Sequence, residues 1–414
     1  MHRFLHPTTD YEHNELVLYL QVLPQGLYIG GAMAFVDVFM VRLGAPNWLV
    51  SLGTSLPALV QMLTVLPLGA LIQRRRRLLH DFNLTRVVGR GFYSLMALAP
   101  FLPPALAPVA IVVLRTLSAL PGAAQSVCFG TVMGKATTPE RRARMFSTRW
   151  GLMRVSMAGV GFAVGIWLES VAFPLNYQVL FASSVLIGAA TAYALSKLRL
   201  APDPPVSEEQ QERVRLRAIP DVLRRIPRFR NYVLARLVLQ LGISLSISVI
   251  PIYRVRELGA SDGWLGALLT IQNVVQIVAY AGLSRLLRKK RFRQKLWLSA
   301  VGIALFPLTT ALATHPTMLV IPAVLGGLFA SALNVFLMDE LMAVTPEDER
   351  PILVSINTFV TAMVGFGAPM LGTAIADATT LQVALYLSAA LRAMGGITYW
   401  WLSRKRTISG VQTV

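Results

Sequence analysis

Long apolar stretches, each closed by a polar or basic segment, recur from one end of the chain to the other. They begin at Leu18, Trp48, Val87, Pro108, Gly151 and Val179, and again at Tyr232, Trp264, Leu296, Met318, Ile352 and Leu381. Each is rich in Leu, Ala and Val and provides the roughly 20 residues that a helix needs to cross a hydrocarbon core of about 30 Å. A membrane-crossing strand would instead show about ten residues in period-two alternation, which these runs lack. In lipid a helix satisfies its backbone groups within its own segment. The pattern therefore predicts an all-α polytopic membrane protein with twelve transmembrane helices.

Composition agrees, since 55% of residues are hydrophobic and 14% charged, against roughly 25% charged in soluble chains. The net charge of +19 would suggest nucleic acid as the partner of a soluble protein, but here the charges are sorted by position. RRRRLLHDFNLTRVVGR, KATTPERRAR, the stretch from Lys197 to Arg236 and RLLRKKRFRQK follow the second, fourth, sixth and eighth runs. The alternate loops hold little beyond Arg42, Arg254 and Arg256. Positive charge gathers on the cytoplasmic side, which places the heavy loops and both termini in the cytoplasm and the chain in a cell inner membrane. These clusters lack the interleaved aromatics of a nucleic-acid surface, so no nucleic acid is expected.

The lone Cys128 allows neither an intrachain disulfide nor a metal-thiolate site. No HExxH, CxxC, P-loop or GxSxG pattern occurs and the histidines do not cluster, so no enzyme activity, metal or cofactor is expected. HRFLHPTTDYEHNE precedes a first apolar run that has no small-residue cleavage site, so no cleavable signal peptide is expected.

Two halves repeat. LGAPNWLVSLGTSLPALVQMLTVLPLGALIQRRRR from Leu43 aligns without a gap on LGASDGWLGALLTIQNVVQIVAYAGLSRLLRKKR from Leu258. TTPERRARM near Thr138 likewise matches VTPEDERPI near Thr345, and YQVLFASS matches LQVALYLS. Anchors kept in order imply two six-helix bundles in parallel orientation. The expected divisions are a tail over 1–17, bundles over 18–198 and 232–402, a Pro-rich charged linker over 199–231 and a tail over 403–414. Within the linker, IPDVLRRI places Val222, Leu223 and Ile226 on one face, suiting a helix on the anionic leaflet or a solvated one.

With twelve spans, parallel six-helix repeats, a central linker and basic loops after the second and eighth spans, the chain resembles the major facilitator superfamily over nearly its whole length. In GALIQRRRR, Gly69 and Arg74 keep that family's gating pattern, while Gln73 stands where the family carries an acidic residue that latches one closed state. Arg115 and Gly122 match the fourth-span pattern partially, with wider spacing. AGVGFAVG from Ala158 lacks the proline of the antiporter signature; it and GFGAPMLG in the eleventh span also suit close helix approach.

Ionisable residues inside spans point to function. They are Asp37, Arg115, Arg154 and Arg392. Asp37 and Arg115 lie at similar depth and could pair; the resemblance implies that first and fourth spans line a central cavity, so Asp37 is expected to take up a proton while Arg115 sets how tightly that proton is held or binds solute, with a static ion pair, or Asp37 simply reaching the outer interface, as the alternative. Arg392 is expected to meet backbone carbonyls, and Arg154 to belong to the cytoplasmic belt. Gln25, Tyr28, Gln272, Asn273, Gln276, Asn334 and Asn357 are candidate solute contacts, with interhelical hydrogen bonding as their structural alternative. Gln61 and Gln276 share a repeat position, which favours packing for both. Such a lining suits a neutral or amphipathic organic solute better than a metal or multiply charged phosphate. The expectation is a monomer in the bilayer acting as a secondary transporter by alternating access, leaning to proton-coupled export of an amphipathic compound. Facilitated diffusion or import of a neutral solute such as a sugar, and a lipid-handling or sensor role, are the alternatives.

Overall fold

The computed structural model describes residues 9–73, 78–200, 219–286, 297–346 and 350–408, and its regular elements are all helical. The first span is α1 (Asp10–Tyr28), a wide π turn (Ile29–Met33) and α2 (Ala34–Arg42). Then come α3 (Asn47–Gln73), α4 (Leu78–Leu95), α5 (Ala107–Ala136), α6 (Pro139–Ser170) and α7 (Leu175–Ser196). A short α8 (Ile219–Arg225) leads into α9 (Pro227–Ile252) and α10 (Asp262–Leu286). The remaining helices are α11 (Leu298–Gly302), α12 (Leu305–Ala311), α13 (Val320–Val344), α14 (Arg350–Ala378) and α15 (Leu381–Ile408).

Eight stretches are long and apolar enough to cross a membrane on length and composition alone. With α3, α4, the α11–α12 pair and α15 they make the twelve spans. Large apolar side chains such as Leu186, 72% exposed, point outward, as a lipid-facing surface requires.

The chain forms two compact units, Met1–Glu208 with Ala260–Val274 and Glu209–Gly259 with Val275–Val414. In the first, Leu18, Phe82, Cys128, Met145 and Leu195 form a core. Thr9 caps α1 by accepting the Glu12 amide at 3.3 Å, and buried Asn14 exchanges two hydrogen bonds with the Arg199 backbone. Those contacts start the first helix at Asp10, ahead of the apolar run. The span then breaks at Gly31 (φ −100°, ψ −105°), downstream of Pro24, which cannot donate to the helix ladder. A Cβ on Gly30 would lie 3.0 Å from the Met157 Cα, so the break is held in backbone contact with α6. The LGA repeat is visible in the backbone. Gly44 (φ +78°) and Gly259 (φ +61°) both take the left-handed conformation that glycine adopts without cost.

In the second unit, Phe229, Leu239, Phe336, Ile356 and Tyr399 form the core. The apolar face of α8 packs on it through Val222, Leu223 and Ile226. The linker helix thus covers protein, correcting both the leaflet and the solvated expectations, because the bundle core offers the nearer apolar surface. Arg392, 4% exposed, donates to Gly242 O at 3.4 Å, Ile303 O at 3.2 Å and Ser246 Oγ at 2.6 Å, the carbonyl contact expected of it.

Gly372, the last glycine of GFGAPMLG, sets a close crossing. A Cβ on Gly372 would overlap the Leu245 carbonyl oxygen, whereas one on Gly282 meets nothing within 4 Å. Overpacking at such a site costs about 1–3 kcal/mol. Gly372→Val is therefore expected to lower the melting temperature in detergent by several degrees, with Gly282→Val unchanged; equal effects would contradict the crossing.

Candidate functional site

The informative helix is α4. Its buried positions are Leu78, Phe82, Arg86, Arg90 and Tyr93, a stripe at helical spacing on one face. Leu84, Val88 and Leu95 occupy the outer side and are exposed. This reverses the arrangement of a water-soluble helix: apolar residues face outward, and two arginines face in. Charge counting assigns both to a cytoplasmic loop, with the span beginning at Val87; the helix instead starts at Leu78, which carries them into the bundle.

A cavity of about 450 Å³ lies among α1, α3, α4 and α5, lined by Gln25, Tyr28, Gln61, Arg86, Arg90, Tyr93 and Arg115 with Ile29, Met33 and Pro57. Arg86 and Arg90 are 1% and 2% exposed. Arg86 Nη1 donates to Gln25 Oε1 at 2.6 Å, and Arg90 Nη2 donates to the same oxygen. The Arg90 guanidinium lies 4.4 Å from the Tyr28 ring centroid and that of Arg86 4.7 Å from Phe82. Tyr28 meets Tyr93 edge to face at 5.1 Å. Gly188 makes room for the Arg90 stem, since a Cβ there would lie 2.8 Å from Arg90 Cδ. Among the described residues neither arginine has a carboxylate partner, and both Nε groups are buried without an acceptor.

Arg115 Nη1 donates to Asp37 Oδ1, pairing the two residues expected to meet. Arg115 also lines the cavity, so the pair sits at its wall. A further buried arginine, Arg149 on α6, escapes charge counting for the same reason as Arg86; it donates to Gln21 Oε1 at 3.5 Å and lies over Phe129 at 4.8 Å.

The other candidates go elsewhere. Asn273 is buried, accepts from Arg154 Nη1 at 3.2 Å and donates to Leu269 O at 2.8 Å. Arg154, expected in the cytoplasmic belt, is half-buried and held by this bond. Asn334 donates to the Tyr280 hydroxyl at 3.3 Å. Gln272 is half-buried on α10, and the side-chain oxygens of Gln276 and Asn357 are buried without a partner. None of these lines the cavity. Gln61 does, while Gln276 is buried, so the repeat-related amides do not share a packing role. Gly69 and Gln73 close α3, and Arg74 lies outside the described residues.

A contact unforeseen from sequence forms at the LGA turns. Arg42 Nη2 bonds Asp262 Oδ1 at 3.1 Å and Ala260 O at 2.7 Å, and Glu169 Oε2 accepts the Gly263 amide at 2.8 Å. Below it α6 and α10 cross closely, a Cβ on Gly266 falling 2.6 Å from the Gly165 Cα. Two LGA turns at equivalent repeat positions were the available signal.

A helical membrane bundle of two repeats, with a polar cavity inside one of them, is a solute carrier by class. The model of the Major Facilitator Superfamily matches residues 19–311 and 232–413, and the chain belongs to that superfamily. No curated protein gives a significant match. Among solved structures, a bacterial homologue of the human lysosomal transporter Spinster, inward-facing and unoccupied, aligns over 99% of this chain and 100% of its own at a TM-score of 0.68 and 13% identity. The xylose transporter XylE from E. coli, inward open, aligns over 94% and 95% at a TM-score of 0.69 and 12% identity. A D-xylose-proton symporter aligns over 94% and 97% at 0.68 and 14%.

The shared Gln25 oxygen is the acceptor that both inward arginines depend on. Removing it leaves buried donors unmet, at about 1–3 kcal/mol. Gln25→Leu is expected to lower the melting temperature by several degrees, and an unchanged value would contradict the shared bond.

Proposed function

We propose that this superfamily member is a proton-coupled secondary transporter that moves an amphipathic organic solute by alternating access, with Asp37 carrying the proton. The observation that carries the reading is the Asp37–Arg115 pair at the cavity wall. A proton on Asp37 cancels its charge, dissolves the pair and releases a guanidinium toward the cavity. A solute that seeks Arg115 is then favoured by the proton and travels with it; a solute repelled by Arg115 is displaced by the proton and travels against it. Coupling and direction thus follow from one electrostatic switch.

The lining supports an amphipathic solute: the faces of Tyr28 and Tyr93 with Ile29 and Met33 offer apolar contact, and Gln25 and Gln61 offer hydrogen bonds. In the second unit, the side-chain oxygens of Gln276 and Asn357, unpartnered among the described residues, support solute contacts there, and half-buried Gln272 is a further candidate. Asn273 and Asn334 are committed to Arg154 and Tyr280, which supports a packing role for both. Gly69, Gln73 and Arg74 are the gating candidates, without the family's acidic latch. The basic loops support an inner membrane with cytoplasmic termini, and nothing in the mechanism calls for more than a monomer.

In proteoliposomes with an imposed pH gradient, screened with organic anions, lipophilic cations, neutral amphiphiles and sugars, Asp37→Asn is expected to abolish uphill movement of the carried solute while leaving its exchange intact. Undiminished uphill transport in that variant sinks the assignment. Arg115→Ala should displace the pH profile of transport; lower protein yield with an unmoved profile would make the pair purely structural.

A further inference from the structure

Three arginines and no carboxylate line the cavity, and Asp37 is already taken by Arg115. Arg86 and Arg90 are left with neutral acceptors, the Gln25 oxygen between them and, for Arg90, the Arg86 carbonyl at 3.3 Å. An intramembrane guanidinium costs several kcal/mol to desolvate, and like charges sharing one neutral acceptor add repulsion. The rings of Phe82 and Tyr28 return only part of that cost. What the two forks lack is negative charge with more than one acceptor lone pair, and each still holds a buried Nε–H to offer.

We propose that the cavity is an oxyanion site: the solute is a small organic carboxylate or phosphate whose charged oxygens displace the Gln25 amide from between Arg86 and Arg90, with its apolar body against Tyr28 and Tyr93. Gln25 is then a placeholder that satisfies the arginines while the site is empty and swings aside when the anion enters. This rests on the transporter reading and adds a sign to it. An anion gains a third guanidinium when Asp37 takes a proton, so proton and anion are carried in the same direction. Cationic amphiphiles are excluded by charge, and neutral solutes such as sugars leave the repulsion unrelieved.

The test measures binding to the purified full chain without any gradient, by thermal shift and calorimetry, using four probes of one shape: benzoate, phenyl phosphate, benzyl alcohol and benzylamine. Charge-assisted hydrogen bonds predict that at least one anion binds roughly tenfold to a hundredfold more tightly than benzyl alcohol, with benzylamine silent. Benzoate against phenyl phosphate separates the carboxylate from the phosphate form. Gln25→Glu places a permanent carboxylate between the arginines; it should raise the melting temperature of the unliganded protein and lose the anion response at least tenfold. The proposal is overturned if the alcohol or the amine binds as tightly as both anions, or if neither anion binds at millimolar concentration. It is equally overturned if Gln25→Glu lowers the melting temperature or keeps wild-type anion affinity. Because no gradient is used, anion binding survives a failure of proton coupling at Asp37, and proton-coupled flux of a neutral solute would overturn this inference while leaving the coupling intact.

Discussion

Everything polar inside this bundle obeys one constraint: lipid offers no hydrogen bond, so each buried donor must find its acceptor within the protein. The helix α4 follows from it most directly. Leu84, Val88 and Leu95 face outward, and the face bearing Phe82, Arg86, Arg90 and Tyr93 turns in, where Gln25 supplies the acceptor and the aromatic rings supply π faces. Arg392 solves the same problem with two carbonyls and a hydroxyl, and Arg115 solves it with Asp37. Arg115 has a carboxylate and Arg392 three acceptors, whereas the pair on α4 shares a neutral oxygen and keeps both Nε groups unmet among the described residues, and that remainder is what gives the cavity its chemistry.

Positioning depends on small residues. The break at Gly31 lets the first span lean on α6 before α2 carries Asp37 toward α5, and Gly188 yields the space that the Arg90 stem fills. At the LGA turns, duplication supplies the same left-handed glycine twice, and between them Arg42 reaches Asp262. Substituting Gly188 would press on the Arg90 stem rather than merely loosen packing.

The spans and the repeat were legible in the sequence because apolar runs of that length rarely occur in water-soluble chains, and chance rarely keeps three anchors in order. That Asp37 and Arg115 could meet was legible from matched depth and the resemblance, though not whether they do, and the carbonyl contacts of Arg392 were legible from its depth. What escaped was α4. Counting positive charge assigns Arg86 and Arg90 to a loop, and their proximity to RRRR makes that natural; yet Leu78, Phe82, Arg86, Arg90 and Tyr93 already spell one helical face, and a period count across the loop boundary would draw them inside. The amides of the second half were legible only as a group, because whether an asparagine serves a solute or a neighbouring side chain is decided by packing, as at Asn273 and Asn334.

The most direct measurement of the central claim is simultaneous recording of proton and benzoate or phenyl phosphate movement in proteoliposomes holding the wild-type chain. A cationic cavity switched by Asp37 predicts proton movement that begins on adding the anion, runs in the same direction and disappears in Asp37→Asn. Proton movement opposite to the anion, or triggered equally by benzylamine, would contradict the account.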